Sequence, residues 1–184
     1  VPYKSTEEII AETTDNSEPS STSAAPAPAT ARGADTPIND APAADAETVT
    51  DIVTANIYSA FDIGYTLYVV ENIPNDPMVL WNEVINLKAV PQSIALNSYT
   101  MEDSVLVLNF NKELQTIQDS SATTAIVCGI AKTYDEFYPE NESLAINSGG
   151  SAISFQGEPI DINSLLDENI NITDTKNILY QPQE

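Results

Sequence analysis

The sequence predicts an α+β fold: a mixed β-sheet with two main helices packed on it, in the order β-β-α-β-β-α-β-β. Three observations carry this. Short runs with period-two alternation come in pairs joined by turn residues. Two longer runs repeat their apolar residues at helical spacing. The strand pairs and the helical runs are segregated along the chain, as a sheet with helices layered on it requires.

The first pair starts near Thr48. In VTDIVTANIYSA (49–60), Val53, Ala55 and Ile57 share a face; Gly64 lies in the turn FDIGY; and YTLYVVEN (65–72) sets Leu67 and Val69 opposite Tyr68 and Val70. The two runs are close enough to form a hairpin. IPNDPMVLWNEVINLK (73–88) predicts the first helix. Asp76 suits the N-cap and Pro77 the first helical position. Leu80, Trp81, Val84, Ile85 and Lys88 recur at helical spacing, Asn82, Glu83 and Asn86 face out, and Pro91 ends the pattern.

The second pair is QSIALNSYT (92–100) and DSVLVLNFN (103–111), joined around Met101 to Asp103. Its second strand is apolar on both faces from Val105 to Leu108, which suggests a central strand covered on both sides or lying well inside the sheet. NKELQT (111–116) reads as a helical turn leaving that strand. SSATTAIVCGIAKTYDEFYP (120–139) is the strongest helix. Ala122, Ala125, Ile126, Gly129, Ile130, Tyr134 and Phe137 form its stripe, while Lys132, Asp135 and Glu136 face out. Ser120 or Ser121 can cap it, and Pro139 stops it. The last pair, SLAINSGG (143–150) and SAISFQGE (151–158), closes through Gly149 and Gly150 as a tight hairpin.

The flanks differ. Residues 1–47 hold half of the 12 prolines, at positions 2, 19, 26, 28, 37 and 42, and their centre has no large aliphatic or aromatic residue. Such a stretch cannot offset a chain entropy of roughly 1–2 kcal/mol per residue, so it reads as a disordered linker, with at most a helical turn at TEEIIAE (6–12). Residues 48–161 form the folded domain. Residues 162–184 read as a polar C-terminal extension with a weak helix or turn at INSLLDEN (162–169).

Charge and missing residue types narrow the function. With 28 acidic and 6 basic residues the net charge is -22, which opposes binding to nucleic acid and electrostatic docking on anionic lipid. The chain has no histidine, which removes Ser-His-Asp and Cys-His catalysis and imidazole metal sites. The single Cys128 can form neither an internal disulfide nor a thiolate zinc site, and in AIVCGIAK it reads as a buried small hydrophobe. No apolar run approaches the roughly 18 residues of a membrane span. The chain opens on Val1 rather than an initiator methionine, so an upstream segment is expected.

From about Thr48 to Asp161 the order of segments resembles the GerMN domain of bacterial sporulation and spore-germination lipoproteins. The resemblance is carried by ANIYSA, YTLYVVEN, the helix VLWNEVINLK, the pair SIALNSYTMEDSVLVLNFNKEL, the helix SATTAIVCGIAKTY and the closing LAINSGGSAISFQGEPIDI. The chain departs from that family at LKAVPQS, where members often carry a Gly-Pro turn, and at Ser148-Gly149-Gly150, where they often carry Asp-Gly. The resemblance implies an exported lipoprotein, membrane-anchored through an upstream lipidated cysteine. It also implies a protein-interaction or scaffold role with other envelope proteins or by self-association. It brings no catalytic residues.

The remaining chemistry is sparse. Glu102 with Asp103, Asp135 with Glu136 and Asp167 with Glu168 are adjacent acids pointing in different directions, unlike the two carboxylates about 5–10 Å apart that a glycosidase needs across a cleft. No G-x-S-x-G or S-x-x-K arrangement is present. DINSLLDENINITD lacks the glycine and final glutamate of a calcium-binding EF-hand loop. No catalytic, cofactor or metal residue is therefore expected, and no enzyme activity. The rival to the scaffold is a peptidoglycan- or glycan-binding module, because Tyr58, Phe61, Tyr65, Tyr68 and Trp81 cluster in sequence and aromatic rings stack on sugars. Trp81 sits on a helix stripe and reads as core. Tyr58, Phe61 and Tyr68 remain as possible ligand or partner contacts.

Overall fold

The computed structural model describes residues 51–182. The linker assigned to residues 1–47, with its helical turn at 6–12, lies outside the described residues.

β1 (Ile52–Phe61) and β2 (Gly64–Pro74) form the expected antiparallel hairpin, closed by the pair Phe61 and Gly64 and bulged between Val53 and Ala55. α1 (Pro77–Asn86) follows. Asp76 caps it as anticipated: its Oδ1 accepts from the Met78 and Val79 amides at 2.8 and 2.9 Å. Lys88, in the left-handed region at φ 54°, turns the chain away just past its end. Trp81 is core, 3% exposed, with its ring edge-on to Phe110 at 4.8 Å between centroids. Glu83 departs from the expected outward face and is buried, with only a long 3.4 Å contact from Asn86 Nδ2.

β3 (Leu96–Glu102) and β4 (Val105–Phe110) pair antiparallel, and β5 (Ser143–Ser148) joins β4 in parallel. β4 is thus the inner strand its double-sided apolar pattern called for, with Leu106, Leu108 and Phe110 buried. Between β4 and β5 the chain forms α2 (Glu113–Ser120), longer than the single turn expected, and α3 (Ala125–Phe137). Because α2 uses residues up to Ser120, Ser121 closes that helix instead of capping α3, and Ala122 lies outside α3 altogether. Thr124 takes the α3 N-cap without a side-chain bond. α3 is buried on most sides: Val127, Cys128, Ile130, Ala131, Thr133, Tyr134 and Phe137 are all enclosed.

The Gly149-Gly150 hairpin stands, with both residues at positive φ (60° and 88°), as a tight two-residue turn between β5 and β6 (Ser151–Ala152) demands. The strand expected at 151–158 does not continue. It breaks into β6 and a separate ladder of β7 (Ser154–Phe155) with β8 (Glu158–Pro159).

Two expectations need correction. The single mixed sheet is two sheets, of order β1-β2-β9 and β3-β4-β5-β6, plus the small β7-β8 ladder. The α+β class holds, with mixed sheets and four helices among the described residues. The stretch expected as a polar extension from residue 162 is not an appendage either over its described residues, 162–182. It contributes α4 (Ile162–Asp167), with Ile162 and Leu165 in the core, and β9 (Ile172–Leu179), which pairs in parallel with β2. β9 escapes a hydrophobicity reading because ladder hydrogen bonds, not a buried face, hold it: every residue from Ile172 to Asn177 is exposed.

Candidate interaction surface

The sheet β1-β2-β9 carries all three possible contact residues, but it uses them differently. α3 runs along the outer edge of β1. The Tyr58 amide donates to Thr133 Oγ1 at 3.1 Å, and that hydroxyl donates to the Gly129 carbonyl at 2.8 Å. Gly129 permits the approach, because a Cβ there would stand 2.8 Å from the Tyr58 carbonyl oxygen. An edge strand that would otherwise offer free backbone is covered in this way.

Tyr58 is 7% exposed, and its hydroxyl donates to Glu136 Oε1 at 2.6 Å; Asn56 Nδ2 donates to the other oxygen, Oε2, at 2.8 Å. Burial, then the Glu136 carboxylate, push the phenol well above its ordinary range. Tyr58 therefore serves the α3–β1 junction rather than an external ligand. Glu136 is exposed, as anticipated, and also serves as the junction's acceptor.

Phe61 does reach solvent, 43% exposed at the hairpin tip beside Ile63 at 74%. It lines an open cleft of about 520 Å³ with Gly64, Tyr65, Thr123, Ala125 and Ile126. Tyr65 forms the cleft wall but is itself buried, its hydroxyl donating to the Ala125 carbonyl at 3.0 Å. Tyr68 is half-buried on the other face of the sheet, with Lys176 Nζ 5.3 Å from its ring centroid. The structure thus does not bring Tyr58, Phe61 and Tyr68 to one site. Tyr68 lies opposite Ile57 in the ladder, whereas Tyr58 lies opposite Leu67 on the reverse side.

A second, polar groove of about 530 Å³ runs between α2 and the β5–β6 hairpin. Its polar groups satisfy one another. Gln115 Oε1 accepts from the Ser154 amide at 2.9 Å, its Nε2 donates to the Ser154 carbonyl at 3.1 Å and to Asp119 Oδ1 at 2.6 Å, and Ser148 Oγ accepts from the Gln115 amide at 3.0 Å.

The other candidate groups are structural. Asp161 caps α4, accepting from the Asn163 and Ser164 amides and from Ser164 Oγ at 2.8 Å; these bonds, led by the Ser164 hydroxyl, hold its carboxyl below the usual carboxylate range. Cys128 is 1% exposed and burial pushes its thiol up, which disfavours the reactive thiolate. Among the described residues, no three His, Cys, Asp or Glu side chains gather as a metal site. No helix among them is long and apolar enough to cross a membrane.

What the sequence reading missed is β9. It is the far strand of its sheet, and beyond it no further strand lies among the described residues. It exposes Ile172 (42%) and Leu179 (58%). The available signal was the density of β-branched residues in ITDTKNIL, a run suited to a pleated edge. No protein-family model, no curated protein and no solved structure matches the chain.

Proposed function

We propose that this domain is a non-catalytic interaction module of the bacterial cell envelope, a scaffold of the GerMN type held outside the cytoplasm by an upstream lipid anchor. One observation carries the reading: the sheet β1-β2-β9 ends in a strand whose outer edge no other strand covers among the described residues, with apolar side chains, Ile172 and Leu179, in solvent, and its hairpin tip adds Phe61 and Ile63. Exposed strand edges and apolar patches are where chains recruit one another. The acidic surface favours partners met through backbone and apolar contacts over phosphate-bearing ones.

The test sets the purified chain against two binding phases. Against isolated peptidoglycan sacculi, a scaffold stays in the supernatant on centrifugation. Immobilised in an envelope extract of the source bacterium, it retains protein partners that a Phe61→Asp/Ile63→Asp/Leu179→Asp variant of equal thermal stability loses. Saturable sedimentation with sacculi, abolished by Phe61→Ala, would replace this reading with a glycan-binding one.

A further inference from the structure

The geometry points to β9 as a self-complementary edge: two copies of this chain join by antiparallel β9–β9 pairing across a two-fold axis at Thr175. This rests on the reading of the domain as an interaction module and names its partner, a second copy.

Backbone direction comes first. The Tyr180 amide donates to the Glu71 carbonyl at 2.9 Å, and Val70 is the register partner of Ile178. By strand alternation the amides of Asp174, Lys176 and Ile178 face β2, and those of Thr175 and Asn177 face away from it. The Thr175 amide is held at 2.9 Å by its neighbour Asp174 Oδ1 rather than by a strand. A two-fold axis at Thr175 brings these outward groups together: Thr175 exchanges both backbone bonds with Thr175 of the second copy, and Asn177 does so with Thr173.

The side chains then fall into register. The sequence ITDTKNI (172–178) reads Ile-Thr-Asp-Thr-Lys-Asn-Ile, apolar at both ends with opposite charges flanking the central threonine. Across the axis Asp174 faces Lys176 of the second copy, twice by symmetry, and Ile172 faces Ile178 at each end. Asp174 and Lys176 occupy non-hydrogen-bonded pairs, the closer kind, where cross-strand charges interact most. Shifting the axis from Thr175 separates both charge pairs. Lys176 already stands over the Tyr68 ring, and its ammonium lies 3.9 Å from Asp174 of its own strand, with both side chains more than half exposed. This gives Tyr68 a role as the support that aims Lys176.

Charge argues for this contact between copies. The chain carries -22, so most opposed surfaces repel, whereas β9 holds one acid and one base and is neutral.

Sedimentation velocity of the full chain over a concentration series tests the proposal with charge swaps. The native chain should dimerise with rising concentration. Asp174→Lys alone and Lys176→Asp alone each set like charges face to face at two places, and each should weaken dimerisation by about ten-fold or more. Combining both swaps in one chain restores dimers. Mixing the two singly swapped chains also restores dimers, now as heterodimers, which misfolded variants could not do. Amide exchange should slow on concentration at Thr175 and Asn177 but stay unchanged at Asp174 and Lys176. A chain monomeric at every concentration, a dimer indifferent to the swaps, or failure of the mixture to associate would each overturn the proposal. A monomer that still retains envelope proteins would do so while leaving the broader interaction reading in place.

Discussion

Thr133→Val tests whether α3 truly seals the edge of β1. The substitution keeps shape and nearly keeps helix propensity, but it removes the only acceptor seen for the Tyr58 amide. Thr133 is 2% exposed, so water does not readily replace the hydroxyl. Leaving a buried amide unpaired costs about 1–3 kcal/mol, and the extra buried methyl returns under about 1 kcal/mol. The net loss is about 1–2 kcal/mol, or about 4–8 °C in Tm at about 4 °C per kcal/mol for a chain of this size. Thr133→Ser loses one methyl, about 0.8 kcal/mol, yet keeps the acceptor. The two are therefore separated by site as well as by size. Hydrogen exchange followed by NMR should show the Tyr58 amide losing protection beyond the global change in the valine variant only. A valine variant as stable as the native chain, with the Tyr58 amide still protected, would refute the claim that this hydroxyl closes the edge.

Three further outcomes follow from groups already described. Asp76→Ala should cost about 1 kcal/mol in urea unfolding, because two α1 amides lose their acceptor, whereas Asp76→Asn should retain most of it. Cys128 should react with an aromatic disulfide reagent on the order of a hundred-fold or more slower in the native chain than in urea, since α3 must open from its neighbours to expose it. Asp161 has a folded-state pKa below its unfolded one, so its cap contributes fully above the ordinary carboxylate range and fades as pH falls through the lower folded value. Thermal melts taken downward from about pH 5 should accordingly show a shallower acid decline in Asp161→Asn than in the native chain.

Much of the fold was legible because burial writes a period into sequence. Ala55 and Ile57 of β1, Leu106 and Leu108 of β4 and Trp81 of α1 all sit where alternation or helical spacing put them, fully enclosed. The Asp76-Pro77 start and the Gly149-Gly150 turn were readable because few residues meet those backbone demands. Elements failed to show where burial did not select the side chains. β9 is held by the ladder to β2 and by the Asn171 carbonyl accepting from the Tyr65 amide at 2.8 Å, with almost no buried face to imprint a pattern. Glu83 broke the polar-out rule in the other direction. Of the site, the aromatic cluster was visible, but its division between the two sides of one sheet was not. Side assignment depends on ladder register, here fixed by the turn that pairs Phe61 with Gly64. The inward turn of Tyr58 depended on Glu136, 78 positions away.

The partnership of β2 with β9 also sets a timetable. Asn171 reaches back over 108 positions to hold the Ile63 carbonyl, and β9 lies just beyond it. A hairpin such as β1–β2 closes in about 1–10 μs, but at a synthesis rate of about 5–20 residues per second its third strand emerges some seconds later. Throughout that interval the β2 flank that β9 will occupy stands vacant, its amides and carbonyls available to any extended neighbour. Copies emerging side by side, whether from a ribosome or across a membrane, are thus open to mispairing through β2, and arrival of the C-terminal strand is the event that withdraws that template.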